Sequence, residues 1–198
     1  PRFEQYIRAD EKQSLVFHLH AFADNAPSAS VRSAFTTWVG AQVDKPSGVR
    51  FEDGTTLDAH ANPWTVDELV ALANANLAED PANEVSINVY YVDGTFERDG
   101  VLGAAFTDRD LVIFRETLES NCDGGVLGGD SCDIGEESIL RHEFGHLLGL
   151  VNRGLPQVED HEDPDHPGHE VQEGCLMYFA LETASGLFGG LLGGGEPV

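Results

Sequence analysis

Basic residues are scarce in this 198-residue sequence. Only 11 Lys and Arg stand against 35 Asp and Glu, which gives a formal net charge of −24, and Lys12 and Lys45 are the only lysines. A field of this sign repels nucleic acids and anionic membranes, so we expect neither as a partner. The scarcity of lysine in so acidic a chain favours a high-salt, halophilic setting, where cations screen the repulsion between acidic groups.

Long apolar runs are also missing. No stretch of about 18 apolar residues is present, so the sequence predicts no membrane-spanning helix. The 41% share of hydrophobic residues is enough for a single globular domain with its own core. Because the chain starts with Pro1, we expect a processed form with any signal peptide or anchor upstream, and therefore a secreted or cell-surface protein. No pattern indicates an oligomeric state.

Cysteines number three. Cys122 and Cys132 bracket a loop rich in Gly and Asp, and a disulfide between them would suit an oxidising, extracellular setting. The alternative is that these two and Cys175 are buried or free thiols.

The pattern of apolar residues predicts a mixed α/β (α+β) fold with a loop-rich C-terminal third. Strands are predicted over 15–22, 85–92, 101–106 and 110–114, and helices over 28–43, 65–77 and 136–150. The second helix has a capping box at Thr65 and Glu68, and its predicted apolar face consists of Val66, Leu69, Val70, Ala73 and Leu77. The stretch 44–62 is predicted as turns with a short strand at Phe51. The Gly-rich end, 185–198, is predicted to be poorly ordered beyond a short apolar helix.

The strongest local pattern is His142-Glu143-Phe144-Gly145-His146, within the last predicted helix. Histidines four residues apart lie on one face of a helix, so both imidazoles can reach one Zn²⁺. Glu143 is then placed to act as general base on a metal-activated water and as general acid toward the leaving amine. The pattern predicts a zinc-dependent endopeptidase with one catalytic ion and a protein or peptide substrate. The same spacing also arises by chance in amphipathic helices.

A catalytic zinc needs a third protein ligand. The segment from His142 to Gly149 resembles the opening of the metzincin signature, in which the third histidine follows the glycine by three residues. That position holds Asn152, which is a poor zinc ligand. His169 precedes Met177 by eight residues, which resembles the archaemetzincin arrangement. This resemblance implies His169 as third ligand and Met177 as the Met-turn floor beneath the ion.

Other ligand assignments stay open at this point. His161 is the next candidate for third ligand, and His166 lies in the same loop. Gluzincins use a glutamate on a second helix; Asp165 lies near that distance, but Pro164 and Pro167 disfavour a helix there. Ca²⁺ could bind the acidic loop residues, which are Asp160, Glu162, Asp163 and Asp165. His18, His20 and His60 are interpreted as satisfied or exposed side chains, and Tyr178 as core rather than oxyanion stabiliser.

The resemblance covers roughly 136–179 by motif and the N-terminal half by element order; bacterial and archaeal membrane metalloproteases have a similar loop. It implies a metzincin-like catalytic domain over 1–198. The N-terminal subdomain (1–149) would contain a mixed twisted sheet with an antiparallel edge strand, a backing helix and the active-site helix. The C-terminal subdomain (150–198) would contain the histidine-rich loop. The edge strand, 101–106, would bind extended substrate; the alternative is an ordinary edge strand with no such role. Archaemetzincins hold a second, structural zinc through cysteines; Glu170 and the lack of cysteine after Cys175 argue against one here. The rival function is a catalytically inactive, zinc-stabilised binding protein of the same fold.

Overall fold

The computed structural model describes residues 1–61, 63–122 and 129–184. Five strands form one sheet in the order β2-β1-β3-β5-β4. Four of them are parallel, and β4 pairs antiparallel with β5 at one edge. The strands are β1 (Ser14–Phe22), β2 (Val49–Leu57), β3 (Glu84–Val92), β4 (Gly103–Ala105) and β5 (Asp110–Phe114). The predicted mixed fold with an antiparallel edge strand is confirmed.

Within the described residues, five helices and one 3-10 helix accompany the sheet. They are α1 (Arg2–Ile7), α2 (Ala29–Gln42), α3 (Val66–Ala75), α4 (Arg115–Cys122), α5 (Gly129–Leu147) and the 3-10 helix Phe179–Glu182. The Ser28 side chain caps α2 by accepting a hydrogen bond from the backbone N–H of Val31. The capping box of Thr65 and Glu68 is present at the start of α3, as predicted.

The main core lies between one face of the sheet and helices α2 and α5. Phe144 of α5 is fully buried there, with ring centroids 5.6 Å from Phe17 of β1 and 6.1 Å from Phe35 of α2. Because Phe144 lies between the two histidines of the predicted zinc motif, its burial fixes the rotation of α5 about its axis. The opposite side of the helix is thereby turned toward the C-terminal loop.

Several element predictions were wrong in extent. The stretch 44–62 contains a nine-residue strand, β2, rather than turns around Phe51. Its residues 52–56 are exposed and carry little strand signal, so pairing with β1 sets their conformation. Helices α1 and α4 were not predicted, and α5 begins at Gly129 rather than at 136.

The predicted apolar face of α3 was also only partly right. Leu69 and Ala73 are buried, but Val66, Val70 and Leu77 are 49%, 36% and 64% exposed. The helix therefore packs through Leu69 and Ala73, with Leu72 partly buried beside them, rather than along the predicted stripe.

Cys122 and Cys132 form a disulfide with Cα atoms 5.7 Å apart, which joins the end of α4 to the first turns of α5. The predicted pairing is confirmed, and Cys175 is unpaired. Residues 123–128, between the two cysteines, and the predicted C-terminal helix within 185–198 lie outside the described residues. Among the described ranges, no helix has the length and apolar content to cross a membrane.

Candidate metal centre

Helix α5 presents His142 and His146 on one face, with ring centroids 4.8 Å apart. The helix ends one residue later, and Gly149 adopts a positive φ of 80° that most residues avoid. The backbone N–H of Gly149 donates to His146 O at 3.0 Å, which closes the last turn. The chain then reverses into the loop that carries the remaining site residues.

His169 completes a cluster of three imidazoles. Its ring centroid lies 5.3 Å from that of His142 and 4.9 Å from that of His146. Two backbone hydrogen bonds hold the loop around it, from Asp163 N to His169 O at 2.8 Å and from Glu170 N to Met177 O at 2.8 Å. The second bond draws the segment after His169 back toward α5, so that Met177 meets the helix.

Met177 lies directly against α5, and its side chain is almost fully buried. A Cβ atom placed on Gly145 would overlap the Met177 sulfur, so the absence of a side chain at Gly145 lets this contact form. The neighbouring Leu176 O accepts a hydrogen bond from His142 Nδ1 at 2.6 Å. That bond places the proton of neutral His142 on Nδ1 and leaves Nε2 as an electron-pair donor facing the cluster.

Glu143, which follows His142 in α5, is fully buried. Its Oε2 accepts a hydrogen bond from the backbone N–H of Ala105, in the edge strand β4, at 2.7 Å. Its Oε1 is buried and has no hydrogen-bond partner in the described part of the chain. Burial raises the pKa of Glu143 well above its usual range, and the nearby Glu182 carboxylate adds to the rise, while the Ala105 N–H opposes it.

Glu182, at the end of the 3-10 helix, is a site residue that the sequence analysis missed. Its Oε1 lies 2.9 Å from His169 Nε2, 3.4 Å from His146 Nε2 and 3.6 Å from His142 Nε2. Burial alone would raise the pKa of this carboxyl, but its contacts with the three imidazoles outweigh burial and hold the pKa below its usual range. The one sequence signal for Glu182 is its position as the acidic residue directly after the apolar run 176–181.

These residues fit a zinc ion. One donor atom each from His142, His146, His169 and Glu182 lies within 4.8 Å of the others. His142 Nε2 and His146 Nε2 are buried with no hydrogen-bond partner among the described residues, which is costly unless an ion occupies the space between the rings. Burial lowers the pKa of His146 to about 4, so the ring is neutral at pH 7, as metal binding requires. Imidazole nitrogens with a carboxylate oxygen form a donor set that suits zinc.

The alternative third ligands lie outside this cluster. The Asn152 side chain donates to Glu162 Oε2 at 2.7 Å. His161 Nδ1 pairs with the Glu170 carboxylate instead of facing the other histidines. His166 stacks on the ring of Phe179, with centroids 3.5 Å apart.

The carboxylates of the acidic loop accept hydrogen bonds from nearby backbone and side-chain groups. Glu162 accepts from Gly168 N at 2.6 Å, and Asp163 accepts from His166 Nδ1 at 2.8 Å. In the N-terminal half, His20 is buried and lies 2.8 Å from Thr55 Oγ1, while His60 stacks on Trp64. Both thus have partners that need no metal.

Two solved structures resemble this chain. Archaemetzincin from Methanopyrus kandleri superposes with a TM-score of 0.57 at 17% identity, covering 89% of this chain and 85% of that one. A zinc-dependent peptidase from Methanocorpusculum labreanum gives a TM-score of 0.54 at 16% identity, covering 87% of this chain and 92% of that one. No family model matches the sequence, and no curated protein matches it. The fold is therefore metzincin-like, as the sequence resemblance implied.

Proposed function

From the metzincin-like fold and the buried donor cluster, we propose that the chain is a zinc-dependent endopeptidase. His142, His146 and His169 hold one catalytic ion, and Glu143 acts as general base and then as general acid. One of the two similar structures is named a zinc-dependent peptidase and the other an archaemetzincin, which supports the same class of activity for this chain.

The observation that carries the proposal is the Glu143 carboxylate. It is buried next to His142 and near Glu182, with one oxygen held by Ala105 N and the other without a partner among the described residues. Burying such a group is costly, and a site that only stabilises the fold has no use for it. The rival function, an inactive zinc-stabilised binding protein, leaves the position of Glu143 unexplained.

Zinc bound by these histidines would supply a Lewis acid that polarises the scissile carbonyl and lowers the pKa of a water molecule. The rest of the chemistry belongs to the chain. The Ala105 N–H fixes Glu143 Oε2, so Oε1 is the oxygen that takes up the water proton and later delivers it to the leaving amine. Leu176 O keeps the proton of His142 on Nδ1, so that Nε2 remains a donor to the ion.

An extended peptide is the substrate that the edge strand favours. A strand at the edge of a sheet can bind a peptide through main-chain hydrogen bonds without demanding particular side chains. Strand β4 occupies that edge and touches Glu143 through Ala105. Secretion, a high-salt setting, the exclusion of nucleic acids, a bound Ca²⁺ and the boundary between subdomains at 149–150 remain predictions.

The test is a Glu143→Gln variant, which keeps the size of the side chain and removes the base. We expect it to retain one zinc per chain and to lose about 10²- to 10⁴-fold in hydrolysis of an unfolded protein substrate, the usual contribution of a general base. Glu137→Gln is the matched control, since Glu137 lies on the same helix but pairs with Arg141. Equal hydrolysis by wild type and Glu143→Gln would refute the role of Glu143. Zinc binding without hydrolysis, both by wild type and by a variant that lacks the Glu182 carboxylate, would favour the inactive binding protein.

A further inference from the structure

The carboxylate of Glu182 stands where a fourth ligand of the ion would stand. We propose that Glu182 is a protein ligand of the zinc, and that the segment of residues 182–184 closes the peptidase site until this segment is displaced. The inference rests on the proposed function, because it concerns the same ion. It separates two states of the site: a closed one with three histidines and Glu182, and an open one with three histidines alone.

The distances around Glu182 fit ligation. Ligands held about 2.0–2.1 Å from a tetrahedral zinc are about 3.3 Å from each other. Glu182 Oε1 lies between 2.9 and 3.6 Å from the Nε2 atoms of the three histidines. One oxygen thus stands at a ligand's distance from three other donors.

The two oxygens of Glu182 face different surroundings. Oε1 points to the imidazoles, whereas Oε2 lies 4.0 Å from the guanidinium of Arg98, which is largely exposed. A carboxylate whose two oxygens have different neighbours is suited to bind an ion through only one of them. Its outer oxygen remains at the rim, within reach of Arg98 and solvent.

The backbone around Glu182 is hydrogen-bonded to the residues that directly precede the edge strand β4. Leu102 N donates to Glu182 O at 2.8 Å, and Ala184 N donates to Gly100 O at 3.0 Å. Val101 and Thr183 form an antiparallel bridge between these two bonds. Residues 182–184 therefore run as a short extended segment beside 100–102.

This pairing is the one that an extended substrate would make with the same edge. A peptide entering along 100–105 meets residues 182–184 on its path, and a scissile carbonyl would need the position that Glu182 Oε1 fills. The segment mimics a bound substrate but places a carboxylate at the ion instead of a peptide bond. Opening the site requires the strand pairing and the Glu182 contact to break together.

The first readout is zinc affinity, measured by competition with a chromophoric chelator. We compare wild type, Glu182→Gln and the control Glu173→Gln, whose side chain is exposed. Loss of a ligand should weaken zinc binding by at least about tenfold in Glu182→Gln, since even groups that only support ligands contribute 10- to 100-fold. The visible spectrum of the Co²⁺-substituted protein should also change in Glu182→Gln and remain that of wild type in Glu173→Gln.

The second readout is hydrolysis of an unfolded protein at saturating zinc. Glu182→Gln should hydrolyse it faster than wild type, although it binds zinc more weakly. A purely structural role for Glu182 would not move the two readouts in opposite directions.

A second variant acts on the backbone and leaves Glu182 in place. Ala184→Pro removes the hydrogen bond to Gly100, and Thr183 already has the extended conformation that a residue before proline prefers. It should also bind zinc more weakly and hydrolyse substrate faster. Circular dichroism of each variant verifies that the fold is kept, and Ala184→Pro carries the test if Glu182→Gln does not fold.

The outcomes distinguish this inference from the proposed function. Unchanged zinc affinity and Co²⁺ spectrum in Glu182→Gln would overturn ligation by Glu182, even if wild type hydrolyses protein through Glu143. Slower hydrolysis by Glu182→Gln at saturating zinc would overturn closure of the site. Weaker zinc binding in Glu182→Gln with no hydrolysis by any variant would support ligation and refute the peptidase.

Discussion

Replacing Gly145 with alanine tests the packing beneath the metal centre. The added Cβ would overlap the Met177 sulfur and approach Leu150. Met177 is only 2% exposed, so its side chain would have to shift within the protein interior to make room. Overpacking of this kind costs about 1–3 kcal/mol, while alanine gains about 1 kcal/mol over glycine inside a helix. The net effect should be a loss of up to about 2 kcal/mol in the free energy of unfolding.

The assay is thermal unfolding of the metal-free protein, because bound zinc would add its own stabilisation. For a chain of this size the loss corresponds to a Tm lower by up to about 8 °C. The matched control is Gly40→Ala in α2, where an added Cβ meets no atom within 4 Å; its Tm should rise by about 2–4 °C. Equal stabilisation of both variants would refute the contact between Met177 and α5.

Two further predictions concern parts of the chain away from the ion. Reducing the Cys122–Cys132 disulfide, whose cysteines are 10 residues apart, should lower the free energy of unfolding in urea by about 2–3 kcal/mol. A double Cys122→Ser and Cys132→Ser variant should not respond to reductant, and an equal response would contradict this. The Arg50 guanidinium holds the pKa of Glu84 below its usual range. The ionised Glu84 therefore stabilises the folded protein above the pKa that Glu84 has in the unfolded chain, and this stabilisation is lost as the pH falls through the pKa of Glu84 in the folded protein. Glu84→Gln should therefore lose less free energy of unfolding than wild type on acidification from neutral pH to about pH 3. The difference should be under about 1 kcal/mol, because the pair is half-exposed. Identical pH profiles of the two proteins would contradict this.

The elements that the sequence predicted well are those whose pattern is local. β3 carries apolar residues at Val85, Ile87 and from Val89 to Val92, in keeping with a strand that is buried along nearly all of its length in a parallel sheet. The capping box of α3 and the histidine pair of α5 depend on spacings of three and four residues within one helix. Each of these signals is complete within a few residues.

The features that the sequence did not predict depend on distant partners. β2 is polar, and pairing with β1 makes it a strand. The short helix α4 is polar and is tied by Arg115 to Glu136, 21 residues away, at 2.7 Å. Such contacts leave no periodic trace in the sequence.

In the candidate site, too, some residues belong to a local sequence pattern and others depend on distant contacts. The pattern of His142, Glu143 and His146 is local, whereas spacing alone left His161 and His169 as alternatives. The hydrogen bond from Glu170 N to Met177 O sets which of them meets α5. Glu182 enters the site through backbone bonds to a segment about 80 residues earlier, which no motif near Glu182 encodes.

The most direct measurement of the central claim is anomalous diffraction at the zinc edge from crystals of the zinc-loaded protein. We expect one peak per chain, bonded to Nε2 of His142 and of His146 and to a ring nitrogen of His169, with Glu143 adjacent and not bonded. A peak in the acidic loop beside His161, or none between the three rings, would contradict the account.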